Sequence, residues 1–275
     1  MFDSHVHAGP DIVDRFGDDV VVVDAYGAAD FDGFVLKAHY ESTVARAHLA
    51  SKRLGKPVLG GIALNQHCGG VNPGAVAAAL SAGGRVVWLP TADSHTQHAA
   101  GLPRLCHVEP RVGEHTYAVP PVDPSAAEAT DLVLALVADH DAVLATGHIG
   151  PEECRWIRDR AAHHGIRRLL FTHPSYTVPG MDPALVAELA AGGGYIEITA
   201  FQLLHQPGCT PAFLAKVAEA AGDRLILSSD AGQPDSPAPP EALGQLIDAL
   251  AGEGLDRGWL EAAAQDAPTD LFLAR

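Results

Sequence analysis

The residues that open the chain have the types and spacing to bind a metal ion. Residues 1–7 read MFDSHVH, an alternation that is typical of a β-strand. Side chains two apart in a strand project to the same side, so His5 and His7 can offer two imidazole nitrogens to one ion. Asp3 shares this alternation and is expected to support a ligand from behind. A pair of histidines arises easily by chance, so the interpretation depends on the rest of the chain.

Three further polar residues end apolar runs later in the sequence. His148 ends LATGH, His173 ends LFTH and Asp230 ends LSSD. Polar residues at the carboxyl ends of barrel strands are typical of catalytic sites. Each could instead be an ordinary half-buried, hydrogen-bonded residue. Together with the opening pair they indicate a set of metal ligands, in which Asp230 is also a proton acceptor.

Short β-like runs alternate with Ala- and Leu-rich helical runs along the chain. The predicted strands are 2–7, 33–39, 57–64, 85–90, 142–148, 168–173, 195–199 and 224–230. The predicted helices are 42–54, 74–82, 125–139, 151–164, 183–191, 211–221 and, less divided, 239–273. This alternation implies a parallel sheet in an α/β protein, and eight strands favour a (β/α)₈ TIM barrel over an open sheet.

The domain organisation is predicted to be one domain over residues 1–275, because no linker separates differently composed halves. One segment interrupts the alternation: residues 91–122, after the fourth strand, are long and rich in Pro, Gly and His. Long loops in compact domains often serve as lids. We therefore predict an inserted loop that covers the substrate and holds a small hairpin, with a mobile surface loop as the alternative.

Composition limits the partners. The formal net charge of −16 disfavours binding to nucleic acid or to anionic membranes. No apolar run is long enough to span a bilayer, and the first residues lack the features of a signal peptide. The four cysteines form no CxxC pair, which fits reduced thiols. We expect a cytoplasmic protein that acts on a small molecule, with a homodimer as the default assembly.

The order of these residues resembles the amidohydrolase superfamily. That resemblance rests on a His-x-His pair on the first strand, histidines ending the fifth and sixth, and an aspartate ending the eighth. The tail DAPTDLF at residues 266–272 also resembles the Asn-Pro-Ala-x-x-Phe type of ending common there. The similarity covers the whole chain, whose size is closer to the small phosphotriesterase-lactonase, TatD-like and ACMSD-like branches than to the hydantoinase and urease branch.

The resemblance implies a distorted barrel with one or two divalent metal ions. His5, His7 and Asp230 would bind the more buried ion. His148 and His173 would bind a second ion, or one of them would bind metal and the other substrate. Zinc is the first expectation, and manganese, iron and nickel also accept such ligands.

Members of this superfamily with two metals usually bridge them with a carboxylated lysine or a glutamate on the fourth strand. The chain departs from this pattern. The fourth predicted strand ends WLPTAD, without a lysine, whereas the second reads FVLKAH and places Lys37 and His39 on one face. A lysine inside a barrel mouth needs an anionic partner or the loss of its charge. Our hypothesis is that Lys37 is carboxylated and bridges two metals. Alternatives are a neutral base, a cation that binds a substrate carboxylate, or a solvated residue at the rim.

Other candidates end or interrupt predicted strands and could line a substrate pocket. Glu197 lies within a strand, where it could hydrogen-bond a ligand histidine or Lys37. The predicted substrate-binding residues are His39, Asn65, Asp93, His95 and Glu197.

These residues predict a metal-dependent hydrolase in which metal-activated water attacks an amide, cyclic amide or lactone of a small molecule. Asp230 would take the proton of that water and return it to the leaving group. The first alternative is a nonoxidative decarboxylase of a small carboxylic acid, which uses one metal and no bridging lysine. The second is a metal-binding protein without turnover.

Overall fold

The computed structural model of the protein describes residues 1–101, 111 and 113–274. Nine short strands are numbered along the chain: β1 Phe2–Val6, β2 Gly33–Leu36, β3 Val58–Leu59, β4 Gly61–Ala63, β5 Val86–Trp88, β6 Val143–Ala145, β7 Leu169–Phe171, β8 Tyr195–Thr199 and β9 Leu225–Ser228. They lie where the eight strands were expected, with the third broken in two, but most are shorter. The polar residues that end the predicted strands therefore lie in the connections just beyond the sheet.

The strands follow one another in the order of a barrel. All pairs are parallel, β1–β2–β3 in one sheet and β4 to β9 in sequence in the other. Only Gly60 separates β3 from β4. Past the end of β9, Val6 pairs in parallel with Ala231, the Asp230 N–H donates to His5 O (2.8 Å), and the His7 N–H donates to Ala231 O (2.8 Å). This seam returns the order to β1, and the predicted (β/α)₈ fold class is confirmed.

Helices follow most strands, and their starts carry the expected caps. Asp182 accepts from Leu185 N at the start of the helix Pro183–Ala191, and Thr210 accepts from Phe213 N at the start of the helix Pro211–Ala221. The helices are α1 Asp19–Ala28, α2 Val44–Leu54, α3 Pro73–Ser81, α4 His95–Ala99, α5 Ala127–Asp139, α6 Pro151–His163, α7 Pro183–Ala191, α8 Ala200–His205, α9 Pro211–Ala221, α10 Pro239–Gly252 and α11 Arg257–Phe272. None of the helices in the described ranges is long and apolar enough to cross a membrane.

Three helices had no counterpart in the predictions. Helix α1 contains four consecutive valines, which disfavour a helix on their own. The Asp18 side chain caps it by accepting from the N–H groups of Val20 and Val21, and Val22, Val23 and Tyr26 bury its inner face. Tertiary burial thus outweighs local propensity here. The other two, α4 and α8, have only five and six residues.

The core has two layers. A large cluster lies between the strands and the helices, and a smaller one fills the barrel interior with side chains that include Val35, Trp88 and Ile226. The end of α11 closes the interior, where Phe272 stacks on Phe2 at 6.2 Å between ring centroids. The interior is therefore packed below the level at which the polar residues begin.

The alternation of inward- and outward-facing side chains is interrupted within β1. The pairing register of β1 with β2 shifts between Asp3 and Val6, as in a β-bulge. Phe2 belongs to the interior cluster, whereas Asp3 accepts a hydrogen bond from the Tyr26 hydroxyl of α1 (2.6 Å). The prediction that Asp3 shares a face with His5 and His7 is therefore wrong. Asp3 still supports the strand, because its Oδ1 accepts from the backbone N–H of His5 (3.2 Å).

The segment 91–122 is only partly described, since residues 102–110 and 112 lie outside the described residues. Where a small hairpin was expected, the described part contains α4 and a parallel bridge between Ser94 and Tyr117. Val119 N donates to Glu153 Oε1 (2.8 Å), which ties the segment to α6. The lid role and the single-domain organisation stay predictions.

Replacing Glu153 tests how the segment is attached. Its carboxylate is 1 % exposed and also accepts from Gly150 N (2.6 Å), so each oxygen takes a backbone donor. In Glu153→Gln one of these N–H groups faces an amide NH₂ instead, and we expect a loss of about 1–3 kcal/mol of unfolding free energy. Denaturant unfolding measures this. The exposed neighbour Glu152→Gln is the control, and an equal loss in both variants would contradict the role given to Glu153.

Candidate metal centre

Five buried histidines form a closed ring at the carboxyl ends of the strands. Neighbouring imidazole centroids are 5.3 Å apart for His5 and His7, 5.2 Å for His7 and His39, 6.0 Å for His39 and His148, 5.0 Å for His148 and His173, and 5.9 Å for His173 and His5. They come from β1, β2, β6 and β7, or from the residues just after them. Parallel strands end on the same face, which is why residues far apart in sequence meet here.

His5, His7 and Asp230 present electron-rich atoms to one another. Asp230 Oδ1 lies 3.1 Å from His5 Nε2 and 3.2 Å from His7 Nε2, and one ligand atom from each residue lies within 4.8 Å of the others. Two ligand atoms on a tetrahedral zinc ion are about 3.3 Å apart. Two neutral imidazoles and one carboxylate in this arrangement fit a divalent cation.

Glu197 orients His5 from inside the barrel. The Nδ1–H of His5 donates to Glu197 Oε2 at 3.2 Å, which leaves the Nε2 lone pair facing Asp230. Glu197 is fully buried, and it also accepts from the Ser228 hydroxyl (2.8 Å) and from His173 N (3.3 Å). A carboxylate behind a ligand histidine is a common support in metal sites. The expected contact of Glu197 with a histidine of the site is present, and the role of His5 as a ligand stays a prediction.

His7 has a different partner on its far side. Arg15 Nη2 lies 3.2 Å from His7 Nδ1, so the guanidinium donates to a lone pair at this nitrogen. Asp11 holds Arg15 through contacts at 2.8 Å to Nε and 2.6 Å to Nη2. A neutral His7 that binds a metal through Nε2 must carry its hydrogen on Nδ1. His7 therefore fits the metal role once the guanidinium turns from this nitrogen.

Lys37 lies at the ring, directly after the end of β2. It is 1 % exposed, its Nζ lies 2.9 Å from His5 Nε2, and the same nitrogen lies 5.8 Å from the centroid of the Trp88 ring. The structure thus excludes the alternative that Lys37 is a solvated residue at the rim. As an amine, Lys37 occupies the same His5 lone pair that a metal ion would use.

His148 and His173 complete the ring and keep unused donor or acceptor capacity. Both are buried, and the Nδ1 atom of each lacks a hydrogen-bond partner among the described residues. His173 Nε2 lies 3.8 Å from Asp230 Oδ2. The backbone of His173 and Asp230 has positive φ, +25° and +48°. Such backbone is uncommon outside glycine and is found at functional sites.

Burial sets the protonation of these groups. Desolvation lowers the pKa of His5 to about 3 and that of His173 to about 3, against an ordinary value near 6.5, and it also lowers the pKa of His7, His39 and His148. The histidines are thus neutral at pH 7, as ligands must be. Burial raises the pKa of Asp230, and the His5 ring counteracts part of that rise.

The predicted substrate-binding residues are only partly brought to the site. His39 lines the cleft, and its Nδ1 lies 2.9 Å from Thr91 Oγ1. Asn65 lies behind it and donates to His39 O (2.8 Å). Asp93 accepts from the Tyr40 hydroxyl (2.6 Å) and lies outside the residues that line the cleft. His95 is exposed at the start of α4, also outside that lining. The roles of these residues in substrate binding stay predictions.

A cleft of about 300 Å³ opens above the ring. Part of its wall was missed from the sequence, because it comes from irregular loops and a short helix that carry no periodic pattern. The missed residues are Val13, Asp14, Arg15, Tyr176, Phe201, Gln233, Pro234 and Asp235. The cleft gives a small molecule access to Lys37, to Asp230 and to four of the five histidines.

Solved structures share this fold at low sequence identity. An amidohydrolase from Pseudomonas aeruginosa aligns over 98% of this chain and 94% of its own, with 10% identity and a TM-score of 0.65. An amidohydrolase from Burkholderia multivorans with bound zinc aligns over 98% of both chains, with 14% identity and a TM-score of 0.61. An organophosphorus hydrolase from Deinococcus radiodurans aligns over 99% of this chain and 91% of its own, with 14% identity and a TM-score of 0.59.

The protein therefore shares the fold of these solved amidohydrolases, as the resemblance implied. Residues 1–197 match the model of a family of unknown function, DUF6282, and the chain belongs to that family. A comparison with curated proteins found no match.

Glu197→Gln tests whether the carboxylate supports a ligand. The amide removes the negative charge behind His5, and we expect zinc to bind about 10- to 100-fold more weakly. Competition with a chromogenic chelator measures the affinity. Glu219→Gln, an exposed residue on α9, is the matched control. Unchanged zinc affinity in Glu197→Gln would show that His5 is not a ligand supported in this way.

Proposed function

We propose that the protein is a metal-dependent hydrolase of a small molecule and that it cleaves an amide, cyclic amide or lactone bond. The observation that carries the proposal is that Asp230 Oδ1 lies 3.1 Å from His5 Nε2 and 3.2 Å from His7 Nε2, beside a cleft that His7 and Asp230 line. The hydrolase neighbours support this assignment through their shared fold. The predicted small-molecule partner, homodimer and cytoplasmic location stay predictions.

The chain's own residues divide the chemical roles. A divalent ion bound by His5, His7 and Asp230 would supply Lewis acidity, which makes water acidic enough to lose a proton near neutral pH. Asp230 would take that proton on a carboxylate oxygen and pass it to the leaving group. His148 and His173 line the same cleft and would hydrogen-bond the scissile carbonyl or hold a second ion.

Lys37 sets the number of ions in this proposal. As an ammonium, Lys37 would repel a cation at His5, which lies 2.9 Å away. Reaction of the neutral Lys37 amine with CO₂ forms a carbamate and releases one proton. The carbamate replaces the N–H donor that competes for His5 with an anionic ligand. We therefore favour a carboxylated Lys37 that bridges two divalent ions, of which zinc is the first candidate.

Activity measurements test the proposed hydrolysis. The metal-loaded protein is assayed against panels of lactones, cyclic amides, amides and small carboxylic acids. We expect hydrolysis that a chelator abolishes, and a rate about 100- to 10,000-fold lower in Asp230→Asn, which cannot accept the proton. Asp159→Asn, on the exposed face of α6, is the control and should keep the full rate.

Two outcomes would contradict the hydrolase. Release of CO₂ from a carboxylic acid without hydrolysis of the other panels would establish the decarboxylase instead. Full metal content without any turnover across all panels would indicate a metal-binding protein.

The carbamate is tested separately by metal content and by labelling. Protein reconstituted with zinc and ¹³C-bicarbonate should contain two ions per chain and a carbamate ¹³C signal, whereas Lys37→Ala should contain fewer ions and no such signal. Lys52→Ala, on the exposed face of α2, is the control. Two ions in Lys37→Ala, or no carbamate signal in the wild type, would rule out the bridge.

A further inference from the structure

The cleft above the candidate metal site is chemically asymmetric, and this asymmetry identifies a substrate class. The inference rests on the proposed function, because it concerns the molecule that reaches the same site. The lining contains a single arginine, Arg15, in the loop after β1. It also contains two aromatic rings, Tyr176 on the loop after β7 and Phe201 on α8, which form its apolar side. These two kinds of surface suit different parts of one ligand.

Arg15 has the geometry of an anion-binding residue. Its side chain is 7 % exposed, and the partner that holds it, Asp11, is 3 % exposed. The contacts to Asp11 use Nε and Nη2, and Nη2 also reaches His7. Nη1 takes no part in these contacts, and the residue lines the cleft. A guanidinium fixed by a buried carboxylate can bind a second carboxylate with little loss of conformational entropy.

Metal binding would increase the capacity of Arg15 to bind an anion. His7 carries its hydrogen on Nδ1 when Nε2 binds a metal, so the present contact with Arg15 Nη2 at 3.2 Å would join two donors. The guanidinium then has one more N–H group for another acceptor. Asp11 already contacts Nε and Nη2, and a ligand carboxylate in the cleft would be an acceptor for the freed group.

The apolar side is built from two aromatic rings packed edge to face. The centroids of Tyr176 and Phe201 lie 5.6 Å apart at 63°, and Tyr176 also packs against His173 at 5.4 Å and 77°. Pro234 and Val13, which lies two residues before Arg15, add further apolar atoms to the cleft lining. These surfaces favour a flat apolar group, which buries area against them without polar partners.

We propose that the substrate is a small carboxylate with a flat apolar body, whose carboxylate pairs with Arg15 and whose body packs on Tyr176 and Phe201. Asp14 and Asp235 also line the cleft, and both are exposed residues whose charge water and salt screen. Arg15 is the buried cation of the lining that stays charged whatever the state of Lys37, and the buried acid Asp230 belongs to the candidate metal site. An anionic group therefore gains most beside Arg15.

The experiment compares three probes of the same shape: benzoate, benzamide and benzylammonium. Their affinities for the zinc-loaded chain are measured by calorimetry, with wild type, Arg15→Gln, Arg15→Lys and the surface control Arg53→Gln on α2. Because Arg15→Gln leaves the buried Asp11 carboxylate without its ion-pair partner, the double variant D11N/R15Q is measured as well. Thermal unfolding checks that each variant is folded.

We expect benzoate to bind the wild type more tightly than benzamide or benzylammonium. Benzoate affinity should fall at least tenfold in Arg15→Gln and in D11N/R15Q, fall less in Arg15→Lys, and stay unchanged in Arg53→Gln. Benzamide affinity should change less than twofold across the set. Benzoate that binds the folded Arg15 variants as tightly as the wild type would overturn the proposal, as would tighter binding of benzylammonium.

A repeat without metal separates this proposal from the proposed function. A zinc ion also attracts benzoate, so the comparison of wild type with the Arg15 variants is made in metal-free protein too. A tenfold loss in both states supports the role of Arg15 whether or not hydrolysis is found. If Asp230→Asn loses hydrolysis but still binds benzoate, carboxylate binding by Arg15 is supported separately from the proposed hydrolysis.

Discussion

The seam between β1 and the residues after β9 is the constraint on which the rest of the structure depends. Two backbone hydrogen bonds of 2.8 Å, Asp230 N to His5 O and His7 N to Ala231 O, join the first strand to the last. The same bonds bring His5, His7 and Asp230 together, so the contacts that join the first strand to the last also assemble the candidate metal site. Glu197, on the neighbouring β8, then fixes the orientation of the His5 ring.

Burial explains why this group of charged and polar residues favours a cation. The histidines are desolvated and therefore neutral, while Asp230 and Glu197 keep their negative charge only at a cost that burial imposes. A divalent ion would offset that cost and would satisfy the facing lone pairs of His5 and His7. The charge of the Lys37 side chain decides how well an ion would bind. An ammonium would compete with the ion for His5, whereas a carbamate would help to bind it.

The sequence predicted the parts of the site that lie on the strands or directly after them. His148 and Asp230 were found because each ends an apolar run, and parallel strands must end together. The side of the barrel that Asp3 faces was not predictable, because a bulge in β1 shifts the alternation without a glycine or proline to mark it. Arg15 and Tyr176 were missed because loops carry no period, and their place in the cleft depends on tertiary packing.

The seam also has a kinetic consequence. Asp3 and the N–H of Ser229 that it binds are 226 residues apart in sequence, so the seam is among the most non-local contacts that the chain makes. Contacts of this kind have a high loop-closure entropy and slow the folding of barrels. Partly folded chains have no assembled ligand set, so metal ions would bind the closed barrel selectively and shift the folding equilibrium towards it. Metal supply during folding would then determine the yield of closed barrel as well as its catalytic competence.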